Sequence, residues 1–327
     1  MRRTPLKLIV QIPCLNEEQT LAATLADIPR EIAGIDSIEL LVIDDGSTDG
    51  TVQVAAAAGV EHILSNKSNQ GLARSFSAGL QHALRLGADI VVNTDGDNQY
   101  CGADLPALVQ PILQGKADIV IGDRQVQSNP HFGKWKKRFQ ALGSATVRTL
   151  SGTRVPDAVS GFRAITREAG LRLNIISPFS YTTEMIIQAG NKNMTIVSVP
   201  VRTNPVYRQS RLFRSIPQFI SQQAVSIVRM YAMYRPMRFF FFLGSAVTVI
   251  GLIPTLRFLF FYFSGDGDGH VQSLVLGGVT LMLGFLLFVT GLLADLISHN
   301  RRLAEMSLET QRRMALDQAG QEAGKDR

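Results

Sequence analysis

Cysteine is nearly absent from this chain: Cys14 and Cys101 are the only two in 327 residues, and they form no C-x-x-C pair. That argues against a disulfide framework or a cysteine-built zinc site, and it fits a reducing compartment. Histidine is sparse as well. His62, His82, His131, His270 and His299 are scattered without metal-ligand spacing, so structural or surface roles are expected of them. Trp135 is the one tryptophan, readable as an interfacial anchor or as a half-buried cover. There is no internal repeat, and no low-complexity segment beyond the run Phe239–Phe242. The apolar run Leu6–Ile12 ends at Pro13 and is too short for a secretory leader. The N-terminal part is therefore expected to stay in the cytoplasm.

What is present divides sharply along the chain. A net charge of +6 and a pI near 9.5 favour anionic partners: phosphates, acidic headgroups or nucleic acid. The first two-thirds read as a soluble α/β protein. Phe239–Phe263 is apolar except for Arg257, and Val271–Ile297 is a second such run with Asp295 near its end. Each exceeds the roughly 20 residues that cross a bilayer. The turn between them, 264–270, carries no Lys or Arg, whereas Arg229, Arg235 and Arg238 precede the pair and Arg301, Arg302, Arg312 and Arg313 follow it. The positive-inside rule then places both termini in the cytoplasm; a helical hairpin buried in a soluble core is the competing reading. Arg257 lies roughly 9 Å from the end of its run at 1.5 Å per residue, close enough to snorkel. Ahead of the first span, Ile216, Phe219, Ile220, Ala224, Ile227, Val228 and Tyr231 recur at helical spacing. They suit an amphipathic helix in the headgroup layer, or one packed on the soluble domain.

From Leu6 to Val201, short β-branched runs alternate with helical patterns. Strands are expected at Leu8–Ile12, Glu39–Ile43, Asp89–Asn93, Asp118–Ile121 and Thr195–Val201. Helices are expected at Glu17–Ile28, Asp49–Ala58, Leu72–Leu86, Asp104–Leu113, Lys134–Leu150 and Thr182–Asn191. This alternation implies a Rossmann-like, mainly parallel sheet covered on both faces, and such sheets bind ligands beyond the carboxyl ends of their strands.

Four strand ends carry chemistry there: Pro13-Cys14-Leu15-Asn16-Glu17-Glu18, Asp44-Asp45-Gly46-Ser47, Asp95-Gly96-Asp97-Asn98-Gln99 and Gly122-Asp123-Arg124. Asp95 and Asp97, separated by a glycine, can approach one hard divalent cation, Mg²⁺ or Mn²⁺. Such an ion bridging a diphosphate would neutralise charge on a leaving nucleotide. An isolated Asp-Gly-Asp is more often a solvated turn; its convergence with the other strand ends favours the metal. Gly71, in Asn69-Gln70-Gly71-Leu72, permits close approach of a phosphate or nucleotide edge at a helix start, although a plain turn reads equally well. Asp49 reads as an N-cap. The basic residues Lys134, Lys136, Lys137, Arg138, Arg148, Arg154, Arg163, Arg202, Arg208, Arg211 and Arg214 could face anionic headgroups or pair a lipid phosphate. Nucleic acid is disfavoured as a partner by the spans and the lack of interleaved aromatics.

In their order, these motifs, with Ser160-Gly161-Phe162-Arg163, resemble family 2 glycosyltransferases of the GT-A fold, within them the polyprenyl- and dolichyl-phosphate sugar synthases, including bacterial members with two C-terminal transmembrane helices. The resemblance implies nucleotide contacts from Pro13, Leu15, Glu17, Asp44, Asp45 and Asp95, and a metal held by Asp97 and Gln99. It implies phosphate-facing Arg124 and Arg208, and an acceptor region with Ser160, Arg163, Arg208 and Arg211. Glu184 stands where processive relatives carry their base, and it reads equally as a helix-start acid. The motif Asp-Gly-Asp departs from the commoner Asp-Ala-Asp but keeps both acids.

The implied reaction is inverting transfer of a hexose from a UDP-glucose-like or GDP-mannose-like donor to polyprenyl phosphate at the cytoplasmic membrane face. Homo-oligomerisation is plausible by the same analogy. Domains are expected at 1–212 (transferase), 213–237 (juxtamembrane helix), 238–298 (two spans) and 299–327 (cytoplasmic tail). A processive polysaccharide synthase is the nearest alternative, but Gln-x-x-Arg-Trp is missing. A non-catalytic membrane scaffold is the other.

Overall fold

A computed structural model of the chain describes residues 5–125, 152–153, 155–176, 181–204, 225, 228–229, 231–265 and 268–325. The expected helix Lys134–Leu150, Trp135 and its lysine neighbours, Arg148, Arg154, Arg208, Arg211, Arg214 and most of the juxtamembrane helix lie outside these residues. Two compact units emerge: residues 1–223 together with 308–327, and residues 224–307.

The first unit is built on seven strands: β1 (Lys7–Cys14), β2 (Ser37–Asp44), β3 (His62–Ser65), β4 (Ile90–Asn93), β5 (Ile119–Asp123), β6 (Arg163–Thr166) and β7 (Ile196–Pro200), in the order β3-β2-β1-β4-β6-β5-β7. Every pairing is parallel except those of β6, which runs antiparallel between β4 and β5. Helices α1 (Leu21–Asp27), α2 (Thr51–Ala57), α3 (Leu72–Arg85), α4 (Leu105–Leu113), α5 (Arg167–Arg172) and α6 (Tyr181–Asn191) accompany the sheet. The sheet is thus mixed and mostly parallel.

Side chains alternate faces along a strand, and both faces of β1 are covered, which is why it reads as an unbroken apolar run. Leu8, Val10 and Ile12, with Leu40, Val42 and Val92, share one core with Leu21 and Leu25 of α1 and Leu105 and Leu108 of α4. Against the other face lies α3, whose Phe76 is fully buried. A Cβ on Gly79 of α3 would sit 2.7 Å from Ile43 Cδ1, so the helix packs closely on the sheet here and any larger residue would have to displace that side chain.

Three differences from the sequence reading have local causes. Helix α1 begins at Leu21 rather than Glu17, because Thr20 and Leu21 N–H both donate to Glu17 O in an initiating turn. Gly50, not Asp49, is the N-cap of α2; Asp49 instead accepts from Thr51 N and Thr51 Oγ and from Glu18 N. Strands β3 and β6 were not expected at all. Each has four residues and begins and ends on a polar one, so, unlike the equally short Ile-Val-Val of β4, it leaves only two consecutive apolar residues as a signal.

The last helix, α8 (Val271–Lys325), returns in its final turns to the first unit. There Arg312 Nη1 donates to Leu171 O (3.4 Å) and Leu173 O (2.8 Å) at the carboxyl end of α5, where a cation complements the helix dipole. Its neighbour Arg313 pairs with Glu168.

In the second unit, α7 (Pro236–Phe263) runs beside the first part of α8. Gly244 and Gly251 on α7, and Gly277, Gly284 and Gly291 on α8, recur every seven residues. A Cβ on Gly251 would meet Leu281 N at 2.9 Å, and one on Gly244 would meet Phe288 at 3.0 Å. Small residues here let two backbones approach closely. Both helices are long and apolar enough to cross a membrane. Phe242, Ile253, Phe260, Phe263, Met282 and Ile297 point outward, so this hairpin is not the buried core of a soluble protein. Arg257 is exposed, as snorkelling requires.

Candidate active site

Strand β1 lies between β2 and β4, so the chain order reverses across it. The crevice outside the carboxyl ends of β1 and β4 is therefore the switch point where open α/β sheets take ligands. Pro13–Glu17 and Asp95–Gln99 meet there. Gly96 lies so near β1 that an added Cβ would be 2.8 Å from Cys14 Sγ. Thr24 Oγ holds Gly96 O at 3.2 Å, and Thr20 Oγ lies 2.9 Å from the same carbonyl.

The loop after β1 is stitched to the loop after β2. Asn16 N donates to Ser47 Oγ, Thr48 N to Asn16 Oδ1 and Glu17 N to Thr51 Oγ1. Asn16 takes a left-handed backbone (φ 56°) to do so, a conformation asparagine tolerates better than most residues. Asp44 accepts from Ser47 N at 2.9 Å. Gly46 (φ +76°) passes so near the 68–69 backbone that a Cβ would be 2.7 Å from Ser68 C, which no other residue could match.

Asp45 is bonded to the loop that follows β3. Its Oδ1 accepts from Asn66 Nδ2 (2.9 Å) and Gln70 N (2.8 Å), and its Oδ2 accepts from Gly71 N (2.9 Å). The buried carboxylate is thus engaged by the 66–71 loop at the edge of the crevice. The same bond occupies the Gly71 amide that was expected to meet phosphate.

Asp95 and Asp97 both project at the end of β4. Burial, and next the charge of Asp97, raise the Asp95 carboxyl to about 7, while Arg124 opposes that rise. Two like charges held this close are the donor set a hard divalent cation would relieve. Among the described residues no cluster of three or more His, Cys, Asp or Glu side chains could hold a metal, so a cation here would need oxygens from a substrate. Asp97 Oδ1 accepts from Gln99 N at 3.1 Å, turning the chain back on the carboxylate. Gln99 is half-buried on the same turn.

Arg124 is fixed by Asp157, a residue the sequence reading did not single out. Nε donates to Asp157 Oδ2 at 2.8 Å and Nη2 to Oδ1 at 3.1 Å, with side-chain exposures of 12% and 3%. Burial opposes ionisation of Asp157, yet the hydrogen bonds and charge of Arg124 outweigh it and hold its pKa below the ordinary value. No motif marks Asp157; only its approach across 33 residues gives it meaning.

Three residues expected near the acceptor or as a base are enclosed instead. The Arg163 guanidinium is fully buried and donates to Ser160 O (2.8 Å), Ala158 O (2.9 Å) and Thr182 O (2.7 Å). Burial lowers its pKa to about 10. It staples the turn bearing Asp157 and Gly161 rather than facing a lipid. Ser160 is fully buried and its hydroxyl makes no hydrogen bond. Glu184 is buried and accepts from Ile176 N and Gln188 Nε2, which makes it a structural acid, not a base open to solvent.

The stapled turn bears directly on the carboxylates. A Cβ on Gly161 would lie 2.8 Å from Asp95 Oδ2. Its N–H donates to Tyr100 Oη (2.8 Å) and its carbonyl accepts from Asn93 Nδ2 (2.9 Å). Asn93 Nδ2 also donates to Tyr181 Oη, and the Tyr181 ring stacks on Phe76 at 4.0 Å. Tyr100, Tyr181 and Asn93 thus fix the wall behind Asp95. Their sequence signal was hidden because each reads as core.

Comparison with known proteins agrees with this geometry. Residues 9–170 match the family described as Glycosyl transferase family 2. The glycosyltransferase AglJ of Haloferax volcanii is 27% identical over 304 residues, covering 90% of this chain and 94% of that protein. The undecaprenyl-phosphate mannosyltransferase of Micrococcus luteus is 27% identical over 206 residues, 60% of this chain and 83% of the relative. Among solved structures, glucosyl-3-phosphoglycerate synthase from Mycobacterium tuberculosis, in complex with Mn²⁺, UDP and glucosyl-3-phosphoglycerate, superposes with a TM-score of 0.53 at 21% identity, covering 69% of this chain and 79% of that one. That likeness shows the GT-A fold. The chain belongs to glycosyl transferase family 2 and is a glycosyltransferase.

Proposed function

We propose that the enzyme transfers a hexose from a nucleoside-diphosphate sugar to a polyprenyl phosphate, with inversion, at the cytoplasmic face of a membrane. The observation that carries this reading is the Asp95–Asp97 pair at the β1/β4 switch point, flanked by the pinned Arg124, in a chain that continues into two outward-facing apolar helices. The acceptor class is supported by the Micrococcus luteus relative, whose name specifies undecaprenyl phosphate. The Mn²⁺ and UDP of the solved neighbour support a divalent cation and a nucleotide donor.

In this reading Asp97 and Gln99 hold Mg²⁺ or Mn²⁺, which when bound supplies Lewis-acid neutralisation of the leaving diphosphate. Asp44, Pro13, Leu15 and Glu17 line the nucleotide end. Arg124, prevented from swinging by Asp157, presents its remaining donors to the phosphates. Arg208 and Arg211 are assigned to phosphate and acceptor. An acceptor phosphate is already anionic at neutral pH and needs no base to attack C1, which agrees with the enclosure of Glu184. Holding donor and acceptor in line supplies the orientation term.

Arg229, Arg235 and Arg238 before the first span, and Arg301, Arg302, Arg312 and Arg313 after the second, support a topology with both termini in the cytoplasm. We assign residues 1–212 to catalysis, 213–237 to the membrane surface and 238–298 to the spans. Of the tail, 299–327, the part from 308 belongs with the catalytic unit.

The test is turnover by purified protein in detergent with Mn²⁺, radiolabelled UDP-glucose or GDP-mannose, and undecaprenyl phosphate. Labelled lipid-phosphate sugar is the expected product. A growing polymer would make the enzyme a synthase instead, and no product with any nucleotide-sugar would defeat the reading.

A further inference from the structure

The turn that bears the metal-binding acids is not self-supporting. Asn98 sits in the left-handed region (φ 55°) between Asp97 and Gln99, one of several backbone conformations open to asparagine, so the surroundings must select it. The segment just after β7 supplies that support. Asn204 N donates to Gln99 O at 2.9 Å, and Tyr100 bridges Thr203 in antiparallel fashion. The Asn204 side chain completes the grip: Nδ2 donates to Asn98 O at 3.1 Å and lies 3.4 Å from both Asn98 Oδ1 and Tyr100 O. One half-buried amide therefore addresses the backbone on both sides of Gln99.

The supporting segment is itself anchored. Asp104, just before α4, accepts from Arg202 N and, at 2.9 and 2.6 Å, from Arg202 Nε and Nη2. Cys101 N donates to Arg202 O. Residues 202–204 form a short splint, tied to the start of α4 at one end and to the Asp97–Gln99 turn at the other. Asn204 has no direct line to a cation; it acts through the turn.

We propose that Asn204 is a positioning residue for the divalent-cation site, holding the Asp97–Gln99 turn in its cation-binding shape. The proposal rests on the assignment of Asp97 and Gln99 as the metal-holding groups. Outer partners that orient metal ligands are commonly worth 10- to 100-fold in metal affinity. Replacing the Asn204 side chain removes its hydrogen bonds on either side of Gln99, while the backbone bond from Asn204 N to Gln99 O and every carboxylate stay in place. The loosened turn is then expected to sample other conformations at Asn98, and cation binding must select the original one.

The experiment uses the full chain in detergent. Binding of UDP and of GDP is measured by calorimetry across a Mn²⁺ titration, and bound Mn²⁺ is counted by electron paramagnetic resonance. For Asn204→Ala, the Mn²⁺ concentration giving half-maximal nucleotide binding should rise about tenfold, with nucleotide binding in chelator and the melting temperature close to the parent's. Asn204→Asp, which keeps the shape but turns an acceptor toward three acceptors, should show at least as large a shift. It also serves if the alanine variant fails to fold. Both variants matching the parent's Mn²⁺ dependence within twofold would overturn the proposal. So would parallel loss of chelator-insensitive binding and thermal stability, because that is the mark of a merely structural residue. If the parent shows no Mn²⁺-dependent binding of either nucleotide, the assignment of Asp97 and Gln99 fails first, and this proposal with it.

Discussion

Replacing Asp157 by asparagine tests whether Arg124 works as a fixed group. In the parent, two hydrogen bonds of 2.8 and 3.1 Å hold a guanidinium whose side chain is 12% exposed. Removing one partner of a buried pair outright costs ~3–5 kcal/mol. Asparagine keeps one acceptor oxygen, and Asp95 still favours the Arg124 charge, so a loss of about 2–3 kcal/mol is expected, below that full penalty. For a unit of this size the melting temperature should fall by about 5–10 °C.

The pH dependence follows from the direction of the shift. The folded-state pKa of Asp157 is depressed, so its stabilisation is complete above the unfolded value of about 3.9 and disappears as pH falls through the folded value. The gap between parent and Asp157→Asn should therefore be wide at pH 7 and begin to narrow below about pH 4, where the unfolded chain takes up a proton that the folded carboxylate still refuses. Thermal melts of Asp157→Asn, Arg124→Ala and the double variant complete the cycle, with an expected coupling of about 2 kcal/mol. A coupling below about 0.5 kcal/mol, or a gap that stays constant to pH 3, would refute the argument that this pair fixes Arg124.

Three further outcomes follow from the same geometry. Asp97→Asn, or excess chelator on the parent, should lower glycolipid formation at least about 100-fold, by analogy with loss of a principal transition-state charge partner; unchanged turnover would remove the metal from the scheme. Gly161→Ala would place a methyl 2.8 Å from Asp95 Oδ2, so turnover should fall about tenfold, one factor of ten per ~1.4 kcal/mol of displacement cost, while the melt moves little; parental kinetics would show that the wall behind Asp95 is pliable. Gly251→Leu would drive a side chain toward Leu281 N, 2.9 Å from the ideal Cβ. It should separate the apolar helices enough to abolish disulfide crosslinking between cysteines introduced at facing positions, and persistent crosslinking would contradict the close glycine packing.

What the sequence could disclose depended on how far each determinant reaches along the chain. Strand β1 was readable because both faces are buried and its run is continuous, and the acids after β1, β2 and β4 were readable because parallel topology alone brings strand ends together. Strand β6 was not, since it is antiparallel, four residues long and inserted between two strands that both precede it in the chain. Within the motif Asp44-Asp45, spacing could not disclose the partners of either carboxylate. Asp44 accepts from Ser47 N, whereas Asn66, Gln70 and Gly71 donate to Asp45. Arg163 shows the same limit from the other side. Its motif marked it as important, and it is, but its charge serves three carbonyls inside the protein rather than a phosphate outside. A motif therefore reports that a residue type is required at a position, and the hydrogen-bond partners decide whether the requirement comes from the ligand or from the loop that presents it. By that criterion Asp157, Tyr100 and Asn204 shape the loops that present the candidate residues, although no short-range pattern could have named them.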